Sequence, residues 1–340
     1  MILAVSIVEL PAQLGEIFYT IVLPILSLAA IGWLLQRRLG LEMDTLRRLN
    51  FYFVMPAMIY YSLLTAEVRV RDVALVVGFT VACLIIQGSI TYAAGRLRRL
   101  PPDVRRAMML TTMLHNSGNY GMPLQGLAFS GTSQAGAVGW QTFVMITQNL
   151  FTFTIGILIV AGGGGGRRWR ENLLHIAKFP PIYALAAALV TLLIRKGLDL
   201  APGVPGSVAP LWEVIKLTRG AFIPVALVTL GAQLALVSRE KHGYPVKLSV
   251  LLRLLGGPAI ALGVVTALRC TVGIAPLAAQ VLLISASTPT AVNCMLMCLE
   301  FQNHPDYAAR AVLYSTLLSP ITVTLTILLA QGGVLPGFAP

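Results

Sequence analysis

Long apolar stretches alternate along the chain with short, basic, polar segments. Ten of the stretches predict membrane-crossing helices, at about 13–36, 46–65, 73–95, 104–130, 136–161, 179–196, 208–236, 248–269, 275–300 and 307–331. A hydrocarbon layer about 30 Å thick needs about 20 residues of helix, and the stretches are of that order. Polar residues enter them rarely, so the exceptions carry information.

Two exceptions matter most. In the fourth span, His115-Asn116-Ser117-Gly118-Asn119-Tyr120-Gly121-Met122-Pro123 interrupts the apolar pattern. Pro123 cannot donate to a helix ladder and disfavours helical geometry at Met122, while Gly118 and Gly121 lift the side-chain restraint on the backbone. The ninth span contains Ser285-Ala286-Ser287-Thr288-Pro289-Thr290-Ala291-Val292-Asn293. There Thr288 reads as an N-cap with Pro289 at the first position of a new half-helix. Non-helical backbone at membrane depth survives only when buried in protein or lining a wet cavity. Both spans are therefore expected to break into half-helices whose positive N-terminal ends meet near mid-membrane, a suitable place for a carboxylate.

The interruptions also suggest a repeat. Pro56 and Pro224 lie in similar settings 168 residues apart, and Pro123 and Pro289 lie 166 residues apart. Spans one to five would then recur as spans six to ten, inverted because five is odd. The expected division is a first repeat over 1–161, a glycine-rich and basic cytoplasmic linker over 162–178 and a second repeat over 179–340. The linker opens with five glycines, Gly162 to Gly166, and lacks the Lys-Ser/Thr partner of a phosphate loop.

Composition agrees with a bilayer as solvent. The chain is 56% hydrophobic and 11% charged, with mean hydropathy +0.80, against roughly 25% charged residues in soluble domains. The formal charge of +12 would suggest nucleic acid in a soluble protein. Here the basic residues fall between spans, which excludes a nucleic-acid stripe and sets topology instead. Arg37, Arg38, Arg47 and Arg48 follow span one, and Arg96, Arg98, Arg99, Arg105 and Arg106 follow span three. Arg167, Arg168, Arg170 and Lys178 follow span five, and Arg239, Lys241 and Lys247 follow span seven. Odd-numbered loops are thus expected in the cytoplasm, with both termini outside a plasma or inner membrane. Met1–Gly15 shows no signal-peptide pattern, so the first span is expected to persist. Cys83, Cys270, Cys294 and Cys298 show no metal spacing, and no cofactor is expected beyond a coupling Na+ or H+.

Four motifs, in this order and spacing, carry a family resemblance. They are Leu49-Asn50-Phe51-Tyr52-Phe53-Val54-Met55-Pro56-Ala57, Gly118-Asn119-Tyr120-Gly121-Met122-Pro123-Leu124, Ser287-Thr288-Pro289-Thr290-Ala291-Val292-Asn293 and Ser315-Thr316-Leu317-Leu318-Ser319-Pro320-Ile321-Thr322. With Asn303-His304-Pro305-Asp306, they make the chain resemble the auxin efflux carrier family over almost its whole length. The resemblance implies an all-α integral membrane fold of ten helices in two inverted five-helix repeats, with helices four and nine broken and crossing, related to bile-acid sodium symporters. Spans one, two, six and seven would form a scaffold that mediates a homodimer. Spans three to five and eight to ten would form a moving transport unit that gives alternating access. The short linker after span five implies a prokaryotic type.

The expected substrate is a small organic anion, such as an auxin-like or dicarboxylic acid. The candidate binding residues are Asn116, Asn119, Tyr120, Gly121 and Pro123 in span four, Gln148 and Asn149 in span five, and Ser287, Thr288, Pro289 and Asn293 in span nine. His115 is either a proton carrier or a packing residue. Efflux without a coupling ion and sodium- or proton-coupled symport both fit. A receptor or channel is a rival of another class. An intramembrane enzyme would need a nucleophile–base pair, a metal cluster or paired carboxylates, and the spans supply none; Ser117 and His115, two apart, do not face each other on a helix.

Overall fold

The computed structural model describes residues 10–65, 70–129, 131–162, 180–197, 209–237 and 245–332. Most of the basic linker expected over 162–178 therefore lies outside the described residues, as do Arg69, Arg239 and Lys241; of the glycine run only Gly162 is described. Twelve helical segments organise the described residues. They are α1 (Pro11–Leu39), α2 (Met43–Leu49 continuing through Asn50–Val54 into Met55–Thr65), α3 (Val70–Leu97), α4 (Pro102–Met113), α5 (Met122–Ala128) and α6 (Ser133–Ala161). There follow α7 (Pro180–Gly197), α8 (Ala209–Ala235), α9 (Val246–Thr271), α10 (Pro276–Ala286), α11 (Asn293–Glu300) and α12 (Pro305–Gln331).

By length and composition, α1, α3, α6, α8, α9 and α12 can each cross a membrane. The other expected spans consist of shorter pieces: α2 and α7, and the pairs α4/α5 and α10/α11. Large apolar side chains such as Tyr19, Ile31, Tyr52, Leu193, Leu211 and Leu217 remain exposed on α1, α2, α7 and α8. A water-soluble surface rarely looks like this, whereas a lipid-facing one does.

Proline placement accounts for four of the five wide, π-type turns among the described residues; the fifth, Thr152–Gly156 in α6, has no proline after it. The four occupy Phe18–Val22, Asn50–Val54, Ser117–Gly121 and Leu252–Gly256. Each ends two residues before a proline: Pro24, Pro56, Pro123 and Pro258. A proline lacks its amide donor and its ring collides with the carbonyl four residues back. Widening the preceding turn relieves that collision without ending the helix. Pro123 therefore does not break the fourth span, contrary to the sequence expectation, and Met122 is regular α-helix (φ −64°, ψ −47°).

Close helix packing is set by glycine. A Cβ on Gly231 of α8 would lie 1.8 Å from the Ala29 carbonyl oxygen of α1, and one on Gly32 would lie 2.1 Å from that of Val228. Small residues let membrane helices approach to backbone contact, where dispersion replaces the hydrophobic effect that lipid removes. Elsewhere α3 packs on α4, α6 and α9, and α12 packs on α10 and α11 and also reaches α1.

Candidate functional site

The two broken spans meet. Leu114 is extended (φ −90°, ψ 113°) and Asn116 turns (φ −77°, ψ 69°), Ser117 N–H donating to the His115 carbonyl at 2.8 Å, between α4 and the turn leading into α5. His115 pairs with Thr290 in an isolated antiparallel bridge. Asn116 N–H donates to the Pro289 carbonyl at 2.7 Å, and Ala291 N–H donates to that of Leu114 at 2.9 Å. Spans four and nine therefore break and cross side by side.

Three details of the expected geometry change. The fourth span breaks at Leu114–Asn116, before Gly118, Gly121 and Pro123. The second half of the ninth span starts at Asn293, with Val292 before it, and not at Pro289. Thr288 does not cap it, because its hydroxyl donates back to the Ser285 carbonyl at 2.7 Å. Extended pairing at Pro289–Ala291 keeps these residues out of helix, so tertiary pairing overrides the local Thr-Pro signal. Pro289 adjoins the bridge while Pro123 lies eight residues beyond His115. The two prolines thus occupy different places relative to the bridge.

Every broken end needs hydrogen bonds that lipid cannot supply. Gln141 and Gln148, seven apart and so on one face of α6, provide two of them. Gln141 Nε2 donates to the Ser117 carbonyl at 2.8 Å, and Gln148 Nε2 donates to that of His115. Thr290 Oγ1 donates to the Thr111 carbonyl at 2.9 Å, and Ser315 Oγ accepts from Thr290 N–H at 3.1 Å. His115 Nε2 lies 3.2 Å from Ser285 Oγ. Gly121 leaves room for Gln141, whose Nε2 would be 2.6 Å from a Cβ there.

A cleft opens on one side of this crossing, between it and α2, α6 and α8. Of the expected residues, Asn116, Asn119, Gln148, Asn149 and Asn293 line it. Asn119 Oδ1 also accepts from Asn50 Nδ2 at 3.0 Å, linking the crossing to α2. Asn149 Nδ2 donates to the Met145 carbonyl of its own helix at 2.8 Å. The remaining six do not line the cleft. Tyr120 is buried against α12, its hydroxyl accepting from Ser319 Oγ at 3.1 Å. Ser287 is fully buried with its hydroxyl on the Ile284 carbonyl at 2.7 Å, Thr288 lies in the turn that closes α10, Pro289 begins the crossing segment, and Gly121 and Pro123 belong to the second half-helix.

Sequence reading missed the cleft's contribution from the other elements. Arg47 and Phe51 of α2, Thr152 of α6 and Gln233 of α8 also line it. It missed Arg253 as well, a buried guanidinium on α9. Arg253 had a visible signal, since a charge inside an apolar span is costly and rarely idle. Gln141 and Gln148 had one too, in their seven-residue spacing. Arg47 had none, because it reads as one more topological arginine.

Three polar atoms of cleft-lining residues are buried without a hydrogen-bond partner: one donor, Asn116 Nδ2, and two acceptors, Gln148 Oε1 and Gln233 Oε1. Both second half-helices start on the same wall, at Ser117–Asn119 and at Val292–Asn293. Helix starts carry roughly half a positive charge. The arrangement offers one unpaired donor, two unpaired acceptors and two positive dipole ends. It offers no nucleophile paired with a base, and no group of three or more metal-binding side chains occurs among the described residues.

Comparison with known proteins agrees with this geometry. A protein of Methanothermobacter thermautotrophicus named "Uncharacterized transporter" is 26% identical over 316 residues, covering 89% of this chain and 95% of that one. A protein of Rhizobium meliloti named "Putative malonate transporter" is 24% identical over 323 residues, covering 93% and 97%. The family described as "Membrane transport protein" matches residues 17–327. That match spans most of the chain, including both broken spans and the helices that hold them. The chain belongs to the membrane transport protein family, that of the auxin efflux carriers, and is a multi-pass membrane transporter rather than an enzyme.

Proposed function

We propose that the protein carries small organic anions, carboxylates of the mono- and dicarboxylic type, outward across the membrane. The observation that carries this reading is the cleft at the crossing, where Asn116 Nδ2 is a buried donor with no acceptor. A carboxylate oxygen supplies that acceptor, and the two half-helix starts favour its charge. Arg47 at the cleft edge adds a cation, itself 3.0 Å from Asp44. The name of the Rhizobium relative makes malonate a reasonable first substrate to test.

The cleft lies between α2 and α8 on one side and the crossing with α6 on the other. This supports an elevator mechanism in which α3–α6 and α9–α12 move against a scaffold of α1, α2, α7 and α8. On this reading the halves are inverted repeats, both termini lie outside, and two copies pair through their scaffolds. A negative-inside potential favours exit of each anionic charge by about 2.3 kcal/mol per 100 mV.

The test is uptake of labelled malonate, and of a monocarboxylate, into proteoliposomes holding the purified protein. Saturable flux with counter-exchange is expected. Asn116→Ala removes one hydrogen bond to a charged group, worth about 1.5–3 kcal/mol, so apparent affinity should fall at least about ten-fold. Tyr120→Phe, off the cleft, should leave affinity nearly unchanged. Non-saturating flux, or an Asn116→Ala protein with wild-type affinity, would refute the reading.

A further inference from the structure

The crossing exposes helix ends of both signs. Its other face is formed by the C-terminal ends of α4 and α10, whose last carbonyls lack helical partners and carry roughly half a negative charge each. In carriers with broken helices, carbonyl ends of this kind coordinate the coupling Na+ or H+. Here they are already engaged. Arg253 Nη1 donates to the Thr112 carbonyl of α4 at 2.9 Å, and Arg253 Nη2 donates to the Ala286 carbonyl of α10. One guanidinium thus joins the two half-helices, with only 3% of the residue exposed.

The surroundings suit this arrangement and do not suit a sodium ion. A small pocket borders the guanidinium, lined among others by Thr80, Cys83, Gln87, His115 and Ser285, with no carboxylate on its wall. A metal cation entering it would meet a fixed positive charge and two carbonyls already in use. The backbone is cut to fit the guanidinium. A Cβ on Gly257 would stand 1.9 Å from Arg253 Nη2 and 2.8 Å from the Ala286 carbonyl oxygen. The wide turn Leu252–Gly256 precedes Pro258 and sets Arg253 one residue into the distortion.

We propose that the Arg253 guanidinium takes the place of a coupling cation at the crossing, so that the protein moves its substrate without sodium. The inference rests on the reading of the protein as a carrier with its substrate at this crossing. It assigns Arg253 as a positioning residue that holds the negative helix ends together while the substrate lies on the opposite, positive side.

Two measurements test it. In proteoliposomes, wild-type malonate flux should be equal in sodium, potassium and choline media. Arg253→Ala in choline should lose about ten-fold or more, because the Thr112 and Ala286 carbonyls are then buried without a side-chain donor. Millimolar guanidinium or sodium should restore part of that flux, and Arg253→Lys should retain more than Arg253→Ala. Independently of any substrate, the melting temperature of Arg253→Ala in detergent should rise with guanidinium or sodium relative to choline, whereas the wild type should not respond. Sodium-dependent wild-type flux would overturn the proposal, as would Arg253→Ala with full flux in choline or with no response to either cation. If Arg253→Ala cannot be purified, the sodium response of wild-type flux and melting decides alone. If no carboxylate is carried at all, the functional reading fails while the melting series still judges the role of Arg253.

Discussion

Thr290→Val probes the crossing with one atom. Thr290 is 1% exposed, and its hydroxyl donates at 2.9 Å to the Thr111 carbonyl, which lies three residues from the end of α4. Valine keeps the shape and the branched Cβ but removes the donor. The Thr111 carbonyl belongs to the last turn of its helix, where no amide four residues on continues the ladder. An unpaired buried polar group costs about 1–3 kcal/mol, while measured interhelical hydrogen bonds in membranes average about 0.6 kcal/mol. The expected loss is about 1–2 kcal/mol, at the upper end of the membrane range because the acceptor has no alternative donor. Thr142→Val is the control. Thr142 is also fully buried, but its hydroxyl donates at 2.8 Å to the Val138 carbonyl within the continuous helix α6. That carbonyl keeps its own helical partner, so the same change should cost less than about 0.5 kcal/mol. Equilibrium unfolding in mixed detergent micelles measures both. Equal losses in the two variants would refute the argument that the broken ends depend on side-chain donors.

Two further outcomes follow from packing and charge. Gly231→Ala places a Cβ into the α1 backbone, and overpacking of this kind typically costs about 1–3 kcal/mol. Gly263→Ala on α9, where the added carbon meets nothing within 4 Å, should instead be neutral or gain up to about 1 kcal/mol from helix propensity; melting temperatures compare the two. At the start of α4, the His304 ring beside Asp103, with Nε2 2.9 Å from Oδ2, holds its carboxyl below the usual aspartate value. A carboxylate with a lowered native pKa stabilises above its unfolded value near about 3.9, and that stability disappears as the pH falls through the native value. Both partners are partly exposed, so Asp103→Asn should cost less than about 1 kcal/mol at neutral pH and nothing in strong acid. A pH series of melting temperatures would contradict this if the difference persisted below the carboxylate range.

Much of the molecule is legible in its order of residues. Apolar runs longer than a bilayer is thick allow little except helices across it, and all ten expected spans contain helix. The polar interruptions at His115–Pro123 and Ser285–Asn293 could be recognised as breaks, because lipid leaves backbone groups no partner. The candidate asparagines and glutamines followed from the same rule, and five of the expected residues line the cleft.

What sequence patterns could not supply is where each break falls and what faces it. Pro123 and Pro289 look alike as letters, yet one rides inside a widened helix turn and the other lies beside the bridge. The difference is made by partners far away in the chain: Gln141, Gln148, Thr290 and Arg253, each donating to a carbonyl from another element. Local propensity fixes that a segment is awkward as a helix. Only tertiary hydrogen bonding, strong where water is excluded, decides which few residues leave the helix and which two segments cross.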